Sequence, residues 1–247
     1  MRPHFQIKLH TKEFNAMFFV ALFFYGCGTV QDTTRAKENL IVKENGNEGT
    51  TSWLIQVPEK RCPPPDHQWC RRPEIEGYCS KTSYVTGDSL QIFVSTNPAS
   101  NYTLDIFRMG YYGGKGGRLM RSVGELQGKP QEVPQAGKNN LIESNWDLSY
   151  SIVIPDDWVS GVYIGKLTAM NDSSQSYVIF ILKDSRKAGV TFQCSDLTWQ
   201  AYNRFPYWHS MYDEGQNPWV NTNGARISFD RPYNLYVNNL PSEFNPL

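Results

Sequence analysis

Two C-terminal stretches concentrate the side chains that could do chemistry. CSDLTWQAYNRFPYWHSMYDEG (Cys194–Gly215) sets Trp199, Tyr202, Phe205, Tyr207, Trp208 and Tyr212 among Asp196, Asn203, Arg204 and Asp213. RISFDRPYNLY (Arg226–Tyr236) repeats the mixture around Asp230 and Tyr233. Aromatic density of this kind, interleaved with polar groups, suits a cleft wall. A protein-interaction surface or a sugar-stacking patch would use the same aromatics. Cys194 could be a nucleophile only with a partner base, and His209 is the nearby histidine in sequence. The ordinary role of such a cysteine is a small buried apolar group. Cys62, Cys70, Cys79 and Cys194 form no C-x-x-C pair, and past the leader the histidines are His67 and His209, so a structural zinc site is not expected. Export would permit disulfides, and a local Cys62–Cys70 bridge around Pro63-Pro64-Pro65 is the favoured pairing. Gly110-Tyr111-Tyr112-Gly113-Gly114-Lys115-Gly116-Gly117-Arg118 imitates a phosphate loop, but Lys115 is followed by glycine rather than Ser or Thr. A long flexible hairpin loop is the plain reading, with a flap over a neighbouring site as the alternative. No Gly-x-Ser-x-Gly elbow occurs, which argues against a common serine hydrolase.

The elements that must position these groups read as β-structure. Residues 84–183 alternate apolar and polar between turns. Leu90, Ile92 and Val94 share one strand face, and Leu104 with Ile106 another. Ile152 pairs with Ile154, and Val162 with Ile164, while Tyr177 to Leu182 is apolar throughout, as a strand covered on both faces would be. Turns are expected at Asn97-Pro98, Gly113-Gly114, Pro130, Asp156-Asp157 and Asn171-Asp172. The spacing predicts an antiparallel Ig-like β-sandwich, and Trp158 to Tyr163 reads as its tyrosine corner. A short strand, Val190-Thr191-Phe192, should then open an α/β domain with ligands at strand ends.

The 247 residues carry 24 basic and 24 acidic side chains, so there is no basic field for nucleic acid. Aromatics at 14% argue against disorder. Residues 1–26 resemble a signal peptide: a basic head, then FNAMFFVALFFYG, short of the ~20 residues that span a bilayer. Cys27 after Gly26 suits lipid attachment, which would tether an exported chain to the cell envelope; secretion is the alternative. Residues 27–57 read as a polar tether, 58–186 as the sandwich and 187–247 as the start of the α/β domain. The sequons at Asn101 and Asn171 are expected to be silent, because a lipoprotein leader implies a bacterium.

Seven segments in order carry a resemblance: IEGYCSKTS (Ile75–Ser83), STNPAS (Ser95–Ser100), RMGYYGGKGGRLM (Arg108–Met120), IPDDWVSGVY (Ile154–Tyr163), QSYVIFILKD (Gln175–Asp184), FQCSDLTWQAYN (Phe192–Asn203) and SFDRPY (Ser228–Tyr233). Together they resemble the N,N-dimethylformamidase large subunit family. The resemblance implies an Ig-like sandwich followed by an incomplete glutamine-amidotransferase-like α/β domain, and hydrolysis of a small amide at a single iron. It places Tyr202 and Tyr233 as iron ligands, with Asn203 and Asp230 as outer orienters. Phenolate is a hard donor that suits ferric iron, and binding would drive its deprotonation. The family's third ligand, a glutamate in a His-x-Glu-Tyr segment, has no counterpart here, and Glu243 matches no motif. The expectation is therefore a fragment, inactive alone or needing a partner subunit. A surface-tethered binding module using the aromatic segment is the alternative.

Overall fold

A computed structural model describes residues 39–56, 71–207, 209–212 and 226–234. The leader, Cys27, Cys62, Cys70 and Glu243 lie outside the described residues, so the signal peptide, the lipid site and the Cys62–Cys70 bridge do too. Cys79 and Cys194 are free thiols. No helix among the described residues is long and apolar enough to cross a membrane.

Among the described residues eight strands make two sheets. β1 (Glu76–Cys79), β3 (Ser89–Ser95) and β6 (Tyr150–Val153) form one in the order β1-β3-β6. β2 (Ser83–Tyr84), β4 (Asn101–Met109), β5 (Gly117–Gln127), β7 (Gly161–Ala169) and β8 (Gln175–Leu182) form the other in the order β2-β8-β7-β4-β5. All pairings are antiparallel except the short β2–β8 contact. The described residues are thus mainly β, with two α-helices among them, α1 (Leu40–Asn45) and α2 (Asp196–Tyr202).

The period-2 pattern explains the sandwich. Leu90, Ile92 and Val94 on β3 meet Leu104, Ile106, Tyr163, Leu167, Val178 and Phe180 in one core. Burying each such side chain contributes about 2 kcal/mol. The Tyr163 hydroxyl donates to Val159 O at 2.7 Å, and its ring stacks on Trp158 at 5.1 Å. This is the tyrosine corner that the Trp158–Tyr163 spacing predicts.

The outer face of the larger sheet is also covered, which is why β8 is apolar on both sides. Phe107, Ile164 and Tyr177 pack there with Trp53 and Ile55. Ile164 therefore serves this outer cluster, while Tyr163 and Leu167 face the core. The cover is an N-terminal strap, residues 39–56, lying where the sequence suggests a tether. Lys166 Nζ donates to Ser52 O and Leu54 O, Tyr177 Oη to Trp53 O, and Trp53 Nε1 to Lys115 O. Buried Glu44 accepts from Tyr112 Oη at 2.7 Å and from Arg118 Nε at 2.7 Å. The tether reading therefore fails for 39–56: polar residues there bond specific partners on the sheet.

The strap also explains the glycine-rich loop. A Cβ at Gly117 would lie 2.6 Å from Trp53 Cδ1, and Gly113 turns at φ 65°. The loop is a hairpin turn between β4 and β5, pinned by Trp53 and by Asn45, whose Oδ1 accepts from Tyr111 N. The strand expected at Val190–Phe192 does not form. Val190 and Phe192 are 87% and 81% exposed in irregular chain, with no neighbouring strand among the described residues to pair with them.

Candidate functional site

The C-terminal segments attach to the smaller sheet through a second apolar cluster. Phe205 is fully buried against Tyr78, Ile142 and Trp146, and its ring lies edge-on to Trp146 at 6.4 Å. Residues 226–234 run beside 139–144: Ile142 bridges Ile227, Ser144 N donates to Asp230 O at 2.7 Å, and Arg226 N donates to Asn139 O. The aromatic stretch is therefore divided. Phe205 is a core anchor, whereas Tyr202, Tyr207 and Tyr212 stay exposed.

Helix α2 ends at Tyr202, and the next residue closes the junction. Asn203 is buried, and its Oδ1 accepts from Asn234 N at 3.1 Å. Its Nδ2 donates to Pro232 O at 2.9 Å and to Gln200 Oε1 at 3.1 Å. Asn203 thus holds the backbone on both sides of Tyr233. Arg231, 2% exposed, adds a second brace. Its guanidinium donates to Gln200 Oε1, Gln200 O, Phe205 O and His209 O at 3.2, 2.8, 3.3 and 2.9 Å. Burial pushes Arg231 down to about 10, with the Tyr233 phenolate opposing.

The two predicted tyrosines end on neighbouring, cross-braced segments, but their rings differ in setting. Tyr202 is 56% exposed, tilted against Tyr212 at 5.0 Å, and lines an open groove of about 1180 Å³. Tyr233 is partly buried and does not line that groove; burial pushes its phenol up, and a Gln200 hydrogen bond pulls it back. The groove also carries Met211, Ser228, Glu143 and Asp230. Ser228 Oγ donates to Glu143 Oε1 at 3.1 Å and accepts from Asp230 N at 3.0 Å. Burial, then the Glu143 charge, raises the Asp230 carboxyl.

Asp230 therefore stands on the Tyr202 side and Asn203 on the Tyr233 side. Gln200, Arg231 and Glu143 are additions that motif reading alone does not single out, although the first two lie inside the WQAYN and FDRPY segments. Cys194 gains nothing from His209. Its thiol is pushed up by burial and by Asp196, the wrong direction for a nucleophile, and His209 bonds the Tyr207 carbonyl. Among the described residues no group of three His, Cys, Asp or Glu side chains could hold a metal ion.

The residues present fit an iron centre in kind. They offer two phenols on clamped segments, with carboxylates beside one of them. Asn234, next to Tyr233, is 3% exposed, and among the described residues neither of its side-chain amide atoms has a hydrogen-bond partner. Such an orphan amide costs about 1–3 kcal/mol and marks a place where a further polar group belongs.

A comparison with curated proteins finds no match for the chain. A family model described as N,N-dimethylformamidase beta subunit-like, C-terminal, matches residues 103–246, more than half of the sequence and both tyrosine-bearing segments. The chain belongs to the N,N-dimethylformamidase beta subunit-like family.

Proposed function

We propose that the chain builds the tyrosine side of an amide-hydrolysing site, with Tyr202 and Tyr233 as phenolate donors to one iron ion. The observation that carries this is the Asn203 clamp, whose bonds to Pro232 O and Asn234 N bring the Tyr233 segment to the end of α2. When bound, the metal supplies Lewis-acid activation of an amide carbonyl or of water. The residues do the rest. The groove walled by Tyr202, Tyr212 and Met211 admits a small amide and presents apolar surface to its N-alkyl groups. Asp230 sits where it can hold a proton on its carboxyl and hand it to a departing amine nitrogen, since burial and Glu143 both favour its protonated form. Residues 187–247 then open an α/β domain, a reading supported by helix α2.

Ferric iron titrated into the full-length protein tests the reading. A phenolate-to-iron absorption band in the visible, lost in both Tyr202→Phe and Tyr233→Phe, is the expected result. No band in the wild-type protein sinks it. We extend the proposal to location: the leader exports the chain, and lipid on Cys27 holds it at the envelope. Palmitate labelling that survives Cys27→Ser would refute the lipid. Carbohydrate stacking has less support, because Phe205 is buried and Tyr202 and Tyr212 are tilted 43° rather than coplanar.

A further inference from the structure

The groove wall holds two tyrosines in contact, and backbone bonds build that contact. Met211 N donates to Ala201 O at 2.9 Å, which fastens the segment after His209 to the end of α2. Tyr212 N donates to Ser210 Oγ at 3.0 Å, and Ser210 is buried. Arg231 Nη1 donates to His209 O at 2.9 Å from the other side. The Tyr202 and Tyr212 rings consequently lie 5.0 Å apart, centroid to centroid, with their planes at 43°. Both line the open groove, and they are 56% and 37% exposed. Exposed side chains reorient within picoseconds to nanoseconds, so a small turn brings a Cε of one ring against a Cε of the other. Other tyrosines fail one of these conditions. Tyr84, Tyr102 and Tyr163 are buried, out of reach of an oxidant in solvent. Tyr111 and Tyr207 are exposed, but neither has a ring neighbour among the described residues.

We infer that Tyr202 and Tyr212 form an oxidative cross-linking site, joined as dityrosine by a peroxide-driven one-electron oxidant. Each phenol gives up one electron and its hydroxyl proton. The two radicals pair to form a Cε–Cε bond. Each linked Cε then loses its proton while each oxygen regains one, so the pair loses two electrons and two protons in all. The peroxide takes these up and leaves as two waters. Rings on fastened segments of one chain meet at an effective concentration of roughly millimolar or above, so a link within one molecule outpaces a link between dilute molecules. Both hydroxyls survive, and the link pins Tyr202 to the groove wall. That consequence for an amide site rests on the proposed role of Tyr202; the coupling itself does not.

The experiment treats the full chain, dilute and free of metal, with a haem peroxidase and limiting hydrogen peroxide. Blue dityrosine fluorescence in the monomer fraction, with an intact mass lower by two hydrogens, is the expected result. Trypsin cuts after Arg204 and so separates the two tyrosines. The product should be residues 188–204 joined to 205–226, with fragmentation placing the bond between Tyr202 and Tyr212. Chain proximity alone would favour Tyr207, nearer in sequence, so the choice of Tyr212 reads the folded contact. Tyr202→Phe and Tyr212→Phe should each lower the fluorescence roughly tenfold or more, while Tyr207→Phe and Tyr111→Phe keep it. Phenylalanine retains each ring, and urea midpoints check that the variants fold. A link to Tyr207 as frequent as to Tyr212 overturns the inference. So does fluorescence confined to dimers, or sulfoxide gained at Met211 with no link formed. A protein that binds no iron defeats the proposed function and leaves the cross-link to be judged by these readouts.

Discussion

Single residues matter here where a polar group is buried with a specified partner. Tyr163 donates to Val159 O from a fully buried ring. Tyr163→Phe removes the shorter of two bonds to that carbonyl, Arg108 Nε remaining at 3.2 Å, so unfolding in urea should show a loss of about 1 kcal/mol. Glu76 is a sharper case. Burial lifts its carboxyl to about 7 from 4.5, against the pull of Arg71, whose guanidinium bonds it at 2.6–2.9 Å. A group whose pKa is higher folded than unfolded favours the fold most fully below 4.5. That contribution drains away as pH rises through 7. Urea midpoints measured between pH 5 and 8 should therefore fall less steeply in Glu76→Gln than in the wild-type protein; equal slopes would refute the raised value.

At the scale of elements, the strap over residues 39–56 is the informative piece. Its composition is polar, yet the sheet face beneath it is apolar and would otherwise be wet. Trp53 covers Phe107, Ile164 and Tyr177 and ties its indole to Lys115 O at 2.8 Å. Trp53→Ala deletes a partly buried aromatic and should cost about 3 kcal/mol, and limited proteolysis should then cut within 39–56. Gly117→Ala tests the same contact from the other side, because the new methyl meets the indole at 2.6 Å. A Gly117→Ala protein as stable as wild type would mean that the strap does not press on the hairpin.

For the whole molecule, the decisive joint lies between the sandwich and the segments bearing Tyr202 and Tyr233. Phe205 plugs the apolar end of that joint and Arg231 its polar end, and Arg71 lies 5.4 Å over the Phe205 ring. Phe205→Ala should destabilise by about 3–5 kcal/mol. Hydrogen exchange should quicken from Asp196 to Tyr202 more than in β7 or β8. Uniform loss across both regions would instead place Phe205 in one cooperative unit with the sandwich core.

The strands, their buried faces and the tyrosine corner were legible in the sequence, because alternation at period 2 is a local signal and an apolar stripe must face a core. The tyrosines themselves stood out by the segments they sit in. Three things needed the tertiary structure. A polar strap has no periodicity to announce the sheet it covers. Val190–Phe192 has strand composition, but a strand exists only where another offers hydrogen bonds. Gln200 acquires its meaning from Asn203 and Arg231, and the latter is remote in sequence. Composition and alternation report which groups avoid water; which donor meets which acceptor across the chain is settled only when distant segments pack.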